Sequence, residues 1–222
     1  MIRYILLLMV SFSLYASNPP VQAIVFDFGK VIGSSKPQKI VTFAANSFGI
    51  SEEELYKRLR NDPSHIAWQK LVWDGNFWQR VADENGIILT REWQEAYWTT
   101  KQETIYAHPG MLSIVNQLKD QGFRVAMLSN VISEKADVIR SLGLYDLFSP
   151  ALLSCDIGFD KPDAKAFQLL IETLDLPPES VIMVDDHPRN IATANHLGMA
   201  GVLFETPTQF RELLINEGLL AE

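Results

Sequence analysis

Asp27 closes a short apolar run, Ala23-Ile24-Val25-Phe26, and is followed by Phe28-Gly29-Lys30-Val31. A second run, Val125-Ala126-Met127-Leu128, ends in Ser129-Asn130, and a third, Val181-Ile182-Met183-Val184, ends in Asp185-Asp186. Between these two stands Lys161, in Gly158-Phe159-Asp160-Lys161-Pro162. Apolar runs that stop at carboxylates put charge at the edge of a core, which is unfavourable unless a cation lies beside it. In order, a carboxylate, a hydroxyl, a lysine and paired carboxylates form a donor set for a phosphoryl group and Mg2+. An aspartate can attack phosphorus and form an aspartyl-phosphate that water then hydrolyses. The attacked group and the carboxylates are all anionic, so this chemistry requires a divalent cation. Mg2+ suits the set, because it takes one or two carboxylates, a carbonyl and a phosphate oxygen and keeps waters. The Ser129 hydroxyl would hold a phosphate oxygen, and Lys161 would offset charge on the transferring group. Singly, each residue has a plain structural reading: Asp27 as a turn former, Ser129 as a helix cap, Asp186 as the cap of a helix starting near Pro188. Together those readings require four coincidences in the right order.

The elements that must position these groups are legible from periodicity. Residues 22–33 read as a strand with a Gly-bearing loop. Strands are expected at 123–129, 148–154, 181–185 and 201–204, each rich in Val, Leu, Ile or Met. Helices fall between them: one capped by Ser133 and ending at Gly143, one capped by Asp163 and ending near Leu174, one with Pro188 in its first turn and Gly198 as its stop. Strands alternating with helices imply a parallel sheet with right-handed crossovers. In such a sheet ligands bind beyond the carboxyl ends of the strands, where Asp27, Ser129 and Asp185-Asp186 all stand. Residues 34–106 read as all helix, too long for a simple crossover, and therefore as a domain inserted after the first strand. Ser51-Glu52-Glu53-Glu54 is a capping box, and Asn76 and Thr90 are further N-caps. All five tryptophans lie in this stretch. Trp73-Asp74-Gly75-Asn76 marks a break between helices, and Trp73 is the tryptophan best placed to face a substrate. The fold class expected is α/β, with a parallel sheet core and an inserted α-helical domain.

The chain has 222 residues, 47% hydrophobic and 21% charged, with a net charge of −8. That charge argues against nucleic acid as a main partner, because a phosphate backbone favours a basic face. It does not disfavour a small phosphorylated substrate. A single cysteine, Cys155, excludes an intrachain disulfide. At the N-terminus Met1-Ile2-Arg3 carries positive charge, Ile5 to Leu14 is apolar apart from Ser11 and Ser13, and Ala16-Ser17-Asn18-Pro19-Pro20 follows. This is the layout of a secretory signal peptide, too short for a comfortable transmembrane span. A cut after Ala16 leaves the bulky Leu14 where small residues are preferred; an uncleaved leader or a membrane-anchoring helix is the other reading. The expectation is an exported protein, periplasmic or secreted, with 1–20 as leader and no stable membrane span after cleavage. Without export it would be cytoplasmic. Oligomeric state is left open.

The pattern resembles the haloacid dehalogenase-like (HAD) superfamily, subfamily I with an α-helical cap, over residues 22–207. Ile24-Val25-Phe26-Asp27-Phe28-Gly29-Lys30-Val31 is similar to its first motif and Met127-Leu128-Ser129-Asn130 to its second. Lys161-Pro162-Asp163 is similar to its third, and Val184-Asp185-Asp186 with Asn190, Ala194 and Gly198 to its fourth. The resemblance implies a Rossmann-like core made of 21–33 and 107–222 and a cap made of 34–106. It implies that Asp27 is the nucleophile and a metal ligand. The Gly29 carbonyl and Asp186 would be further ligands of Mg2+, with Asp185 acting directly or through a water. Ser129, Asn130 and Lys161 would hold the phosphoryl group. Most phosphatases of this superfamily carry a second aspartate, a proton donor, two residues after the nucleophile; here that position is Gly29. A branch that resembles the sugar-phosphate phosphatases, with Asp-Leu-Gly-Asn-Val, also has Gly there. Lys30 stands where small or amide residues are usual. It reads either as a solvent-facing loop lysine or as an extra substrate-binding cation at the cap entrance. His108 reads as a helix-entry residue and His187 as a loop group beside the metal. The expected function is hydrolysis of a small phosphomonoester. A non-catalytic metal and phosphate binder, motivated by Gly29, and a dehalogenase, disfavoured by Asp185-Asp186, are the alternatives.

Overall fold

The structure, a computed structural model, describes residues 20–61 and 77–221. Five parallel strands form the main sheet: β1 (Ala23–Phe26), β4 (Arg124–Ser129), β5 (Ala151–Leu153), β6 (Val181–Asp185) and β7 (Ala200–Leu203). Their spatial order is β5-β4-β1-β6-β7, so the chain builds outward from β1 on one side and then returns to the other. Phe26 pairs with Met127 of β4 and with Val184 of β6. Strand alternation divides the apolar side chains between two faces. Ile24, Phe26, Met127 and Val184 pack on one face with α5 (Pro109–Asp120) and α10 (Pro207–Asn216), where Phe26 meets Phe210 edge to face at 5.8 Å. Val25, Ala126, Leu128 and Met183 pack on the other face against Phe167 and Leu170 of α8 (Ala164–Leu174) and Ala194 of α9 (Pro188–His196). The fold class is thus α/β and Rossmann-like, as expected.

Between β1 and β4 the chain forms α1 (Gln38–Phe48), α2 (Glu52–Asn61), α3 (Phe77–Glu84) and α4 (Arg91–Thr104). These helices have their own apolar cluster, in which Val41, Phe48, Leu55, Phe77 and Trp78 are buried and Trp93 and Tyr97 pack alongside. The expectation of an all-helical stretch needs one correction. Its ends pair as an antiparallel ribbon, β2 (Gly33–Ser35) against β3 (Ile105–Ala107), with Ser34 opposite Tyr106. Three-residue strands are too short for a period to show in sequence.

Local details differ in instructive ways. Thr90 and Asp163 cap their helices as expected, accepting from the backbone N–H of Trp93 and Lys165. Ser51 accepts from the Glu54 N–H at 3.1 Å, but the Glu54 carboxylate pairs with Arg58 one turn on, so the box is one-sided. Ser133 is the first residue of α6 (Ser133–Ser141), and the N-cap position is Ile132, without a side-chain bond. The strand expected at 148–154 is only β5, because Tyr145–Leu147 forms a short 3-10 turn before it and α7 (Ser154–Ile157) starts directly after it. Pro188 opens α9, with the His187 ring nitrogen Nδ1 accepting from the Arg189 N–H. Trp73, Gly75, Asn76 and residues 1–19 of the leader lie outside the described residues. Among the described residues no helix is long and apolar enough to cross a membrane.

Candidate active site

Register brings the sequence-distant groups together. Asp27 follows directly after β1, and its N–H donates to the Val184 carbonyl at 2.9 Å, which sets it beside Asp185 at the end of β6. Ser129 ends β4 on the other side of β1 and is buried. Lys161 arrives from the loop before α8. Its Nζ donates to Asp27 Oδ1 at 2.7 Å and to Asp185 Oδ2 at 2.6 Å, with the lysine side chain 1% exposed. Asn130 holds that loop in place: its amide Nδ2 donates to the Lys161 carbonyl and its Oδ1 accepts from the Lys161 N–H, each at 2.8 Å. The Asn130 side chain, expected on the phosphoryl group, is therefore engaged with the backbone of Lys161.

Asp185 is fully surrounded by donors. Besides Lys161, its Oδ1 accepts from the His187 N–H at 2.8 Å, and Asn190 Nδ2 lies 2.9 and 3.0 Å from its two oxygens. Asn190 had a visible signal, since it follows Asp185 by the distance from a strand end to the first turn of the next helix. Only the fold shows what that turn does: it returns the amide to the carboxylate. Asp186 points elsewhere and pairs with Lys30 Nζ at 2.8 Å. The Lys30 side chain is 79% exposed, so this ammonium is at the mouth of the site on Asp186. Lys30, at φ 60, is the residue in left-handed conformation here; Gly29 is not. A Cβ at Gly29 would meet Asp27 Oδ2 at 3.3 Å, so this side of the nucleophile faces bare backbone.

Burial pushes the Asp27 carboxyl above the ordinary aspartate range; the Asp185 charge acts in the same direction and Lys161 opposes both. Three carboxylates, Asp27, Asp185 and Asp186, stand here; two ammonium groups, Lys161 and Lys30, contact them, and Lys135 acts on Asp27 from beyond ion-pair distance. Among the described residues no three His, Cys, Asp or Glu side chains form a cluster that would hold a metal unaided. Mg2+ does not require one, because it completes its shell with carbonyl, water and substrate oxygens. The all-oxygen donor set fits such an ion.

The inserted helices contact the core through α4 and α6. Lys101 Nζ pairs with Glu134 at 2.6 Å, the Tyr97 hydroxyl donates to Glu134 at 3.1 Å, and Trp78 Nε1 donates to that hydroxyl at 2.7 Å. Gln102 adds a bond to Ser141 at 2.9 Å. No periodicity announces these residues, because they belong to three elements that only tertiary packing joins.

Comparison with known proteins assigns the chain to a family. A family model described as haloacid dehalogenase-like hydrolase matches residues 21–198. The chain is similar to the glyceraldehyde 3-phosphate phosphatase of Methanopyrus kandleri, 28% identical over 69% of this chain and 66% of that one. The enzyme of the same name from Methanothermobacter thermautotrophicus is 26% identical over 69% of each chain. The chain thus spans about two thirds of these curated relatives' length. Among solved structures, a HAD family enzyme from Bacteroides thetaiotaomicron matches with a TM-score of 0.65 at 16% identity, covering 88% of this chain and 99% of that one. That enzyme has also been solved with magnesium and inorganic phosphate; this form matches with a TM-score of 0.62 at 16% identity, over 83% of this chain and 94% of that one. At such identities the structures share the fold. The family match spans most of the chain, and the protein belongs to the haloacid dehalogenase-like hydrolases.

Proposed function

We propose that this protein is a Mg2+-dependent phosphatase that hydrolyses a small phosphomonoester through an aspartyl-phosphate on Asp27. The observation that carries the reading is the Lys161 ammonium shared between buried Asp27 and Asp185 at the carboxyl edge of the sheet. Lys161 orients the Asp27 carboxylate through Oδ1 and supplies charge against the transferring phosphoryl group. The Ser129 hydroxyl and nearby backbone N–H groups bind its remaining oxygens. Asn130 and Asn190 act as positioning residues for Lys161 and Asp185. Mg2+ would be held by Asp27, the Gly29 carbonyl and Asp186, with Asp185 direct or through water, and when bound it offsets the negative charge of site and substrate. Phosphatase activity in similar proteins supports the reading. We read residues 34–106 as the cap that covers the site and 21–33 with 107–222 as the core.

Gly29 favours a second reading, a binder that holds metal and phosphate without turnover. One experiment separates the two. Phosphate release from an aryl phosphate is measured with Mg2+ and with EDTA, for the wild type and for Asp27→Asn. The phosphatase reading requires Mg2+-dependent release that falls by about 10³-fold or more in a folded Asp27→Asn, as for a covalent nucleophile. Release near the wild-type level in that variant excludes Asp27 as nucleophile. Phosphate binding without release by the wild type leaves the binder.

A further inference from the structure

A cavity of about 180 Å³ lies between the inserted helices and the core. Its walls are mostly apolar, with Pro37, Ile40, Ile105 and Val138 among them, and two lysines, Lys101 and Lys135, also line it. The cavity belongs to the site edge by topology: its lining includes Ser35, in the strand that follows the Asp27 loop, and Ile132, just beyond Ser129.

The two lysines are not equivalent. Lys101 is neutralised by Glu134 at 2.6 Å. Lys135 has no hydrogen bond or ion pair among the described residues. Burial pulls its pKa below the ordinary lysine value; the charge of Asp27 opposes this and that of Lys101 adds to it. A partly buried ammonium without a counter-charge in contact is unfavourable. Lys135 is thus an ammonium with no carboxylate in contact, in a mostly apolar space, with Asp27 acting on it only from beyond ion-pair distance.

We infer that this cavity receives the leaving-group part of the substrate, and that the substrate is a phosphomonoester with a short aliphatic body and a second anionic group that pairs with Lys135. This inference rests on the phosphatase reading above. The apolar walls cover the aliphatic body, and the small volume excludes a nucleotide-sized group. The second anion is a carboxylate or a further phosphate, the chemistry that an ammonium recognises in either case.

The test compares n-pentyl phosphate with phosphorylated ω-hydroxypentanoate and with pentane bisphosphate, phosphorylated at both ends, alongside an aryl phosphate. The wild type should favour at least one doubly anionic substrate over n-pentyl phosphate by about tenfold or more in kcat/KM, the worth of one desolvated charge pair. Which of the two is favoured identifies the anion. In Lys135→Met that ratio should collapse toward unity through KM, with a smaller loss on n-pentyl phosphate, and Lys135→Arg should restore it. A melting curve of each variant checks folding. No preference in the wild type overturns the inference. So does an equal loss on every substrate in Lys135→Met, which would put Lys135 on the reacting phosphoryl group. Turnover of none of the four, the aryl phosphate included, brings down the phosphatase reading and this inference with it.

Discussion

Asp27 and Asp185 share one ammonium group, that of Lys161, at 2.7 and 2.6 Å. Both carboxylates are buried, so Lys161 offsets one of two charges and the site favours a further cation. Lys161→Met should lower kcat by about 10²–10³-fold, the usual worth of one preorganised electrostatic group. It should also destabilise the metal-free protein, by up to about 3–5 kcal/mol if both carboxylates stay ionised. Mg2+ should then raise Tm more in the variant than in the wild type, and EDTA should reverse the rise. Thermal melts with Mg2+ and with EDTA check this; a variant that melts like the wild type under both conditions refutes it.

Gly29→Asp should fold. The position is not in the left-handed region, and the new Cβ meets only Asp27 Oδ2, at 3.3 Å, a contact relieved by a shift of a few tenths of an ångström. The added carboxyl supplies a proton donor beside the nucleophile. Alkyl phosphates need leaving-group protonation more than aryl phosphates do. The alkyl rate should therefore rise by about tenfold or more relative to the aryl rate, within the range that general acid catalysis supplies. If the folded, Mg2+-binding variant gains nothing on alkyl substrates, another group already acts as the acid.

Lys30→Gly should stabilise the protein. Lys30 sits at φ 60, where a side chain costs about 1–2 kcal/mol and glycine has no steric penalty, though its extra chain entropy takes back roughly 0.5–1 kcal/mol. Its ion pair with Asp186 involves a side chain that is 79% exposed, and such pairs contribute little. For a net gain of about 1 kcal/mol, Tm should rise by roughly 2–4 °C. A lower Tm would show that the Asp186 pair outweighs the backbone strain.

The leader is proposed to direct export, with the mature chain starting near Ser17. Intact-mass measurement on protein from the native host should show loss of the N-terminal segment. Soluble cytoplasmic protein that retains Met1 would contradict this.

The sequence by itself determined the sheet strands, the groups at their ends and the order in which those groups come. Those signals are local: a short apolar run, a carboxylate or hydroxyl where it stops, a Pro or Gly that punctuates the next helix. Parallel topology then carried Asp27, Ser129 and Asp185 to one edge without any further information. Tertiary structure alone decided what each polar group does there. That Asn130 grips the Lys161 backbone, that Asn190 turns back onto Asp185, and that Lys30 reaches Asp186 instead of the space in front of Asp27 all depend on side-chain directions set by neighbouring elements. The β2–β3 ribbon is not legible in the sequence because its pairing joins segments far apart in the chain, each too short to show a period. Lys135 is the clearest case. In the sequence it is one helix lysine among several, and only the packing of α4 against α6 leaves it in a mostly apolar cavity with no carboxylate in contact.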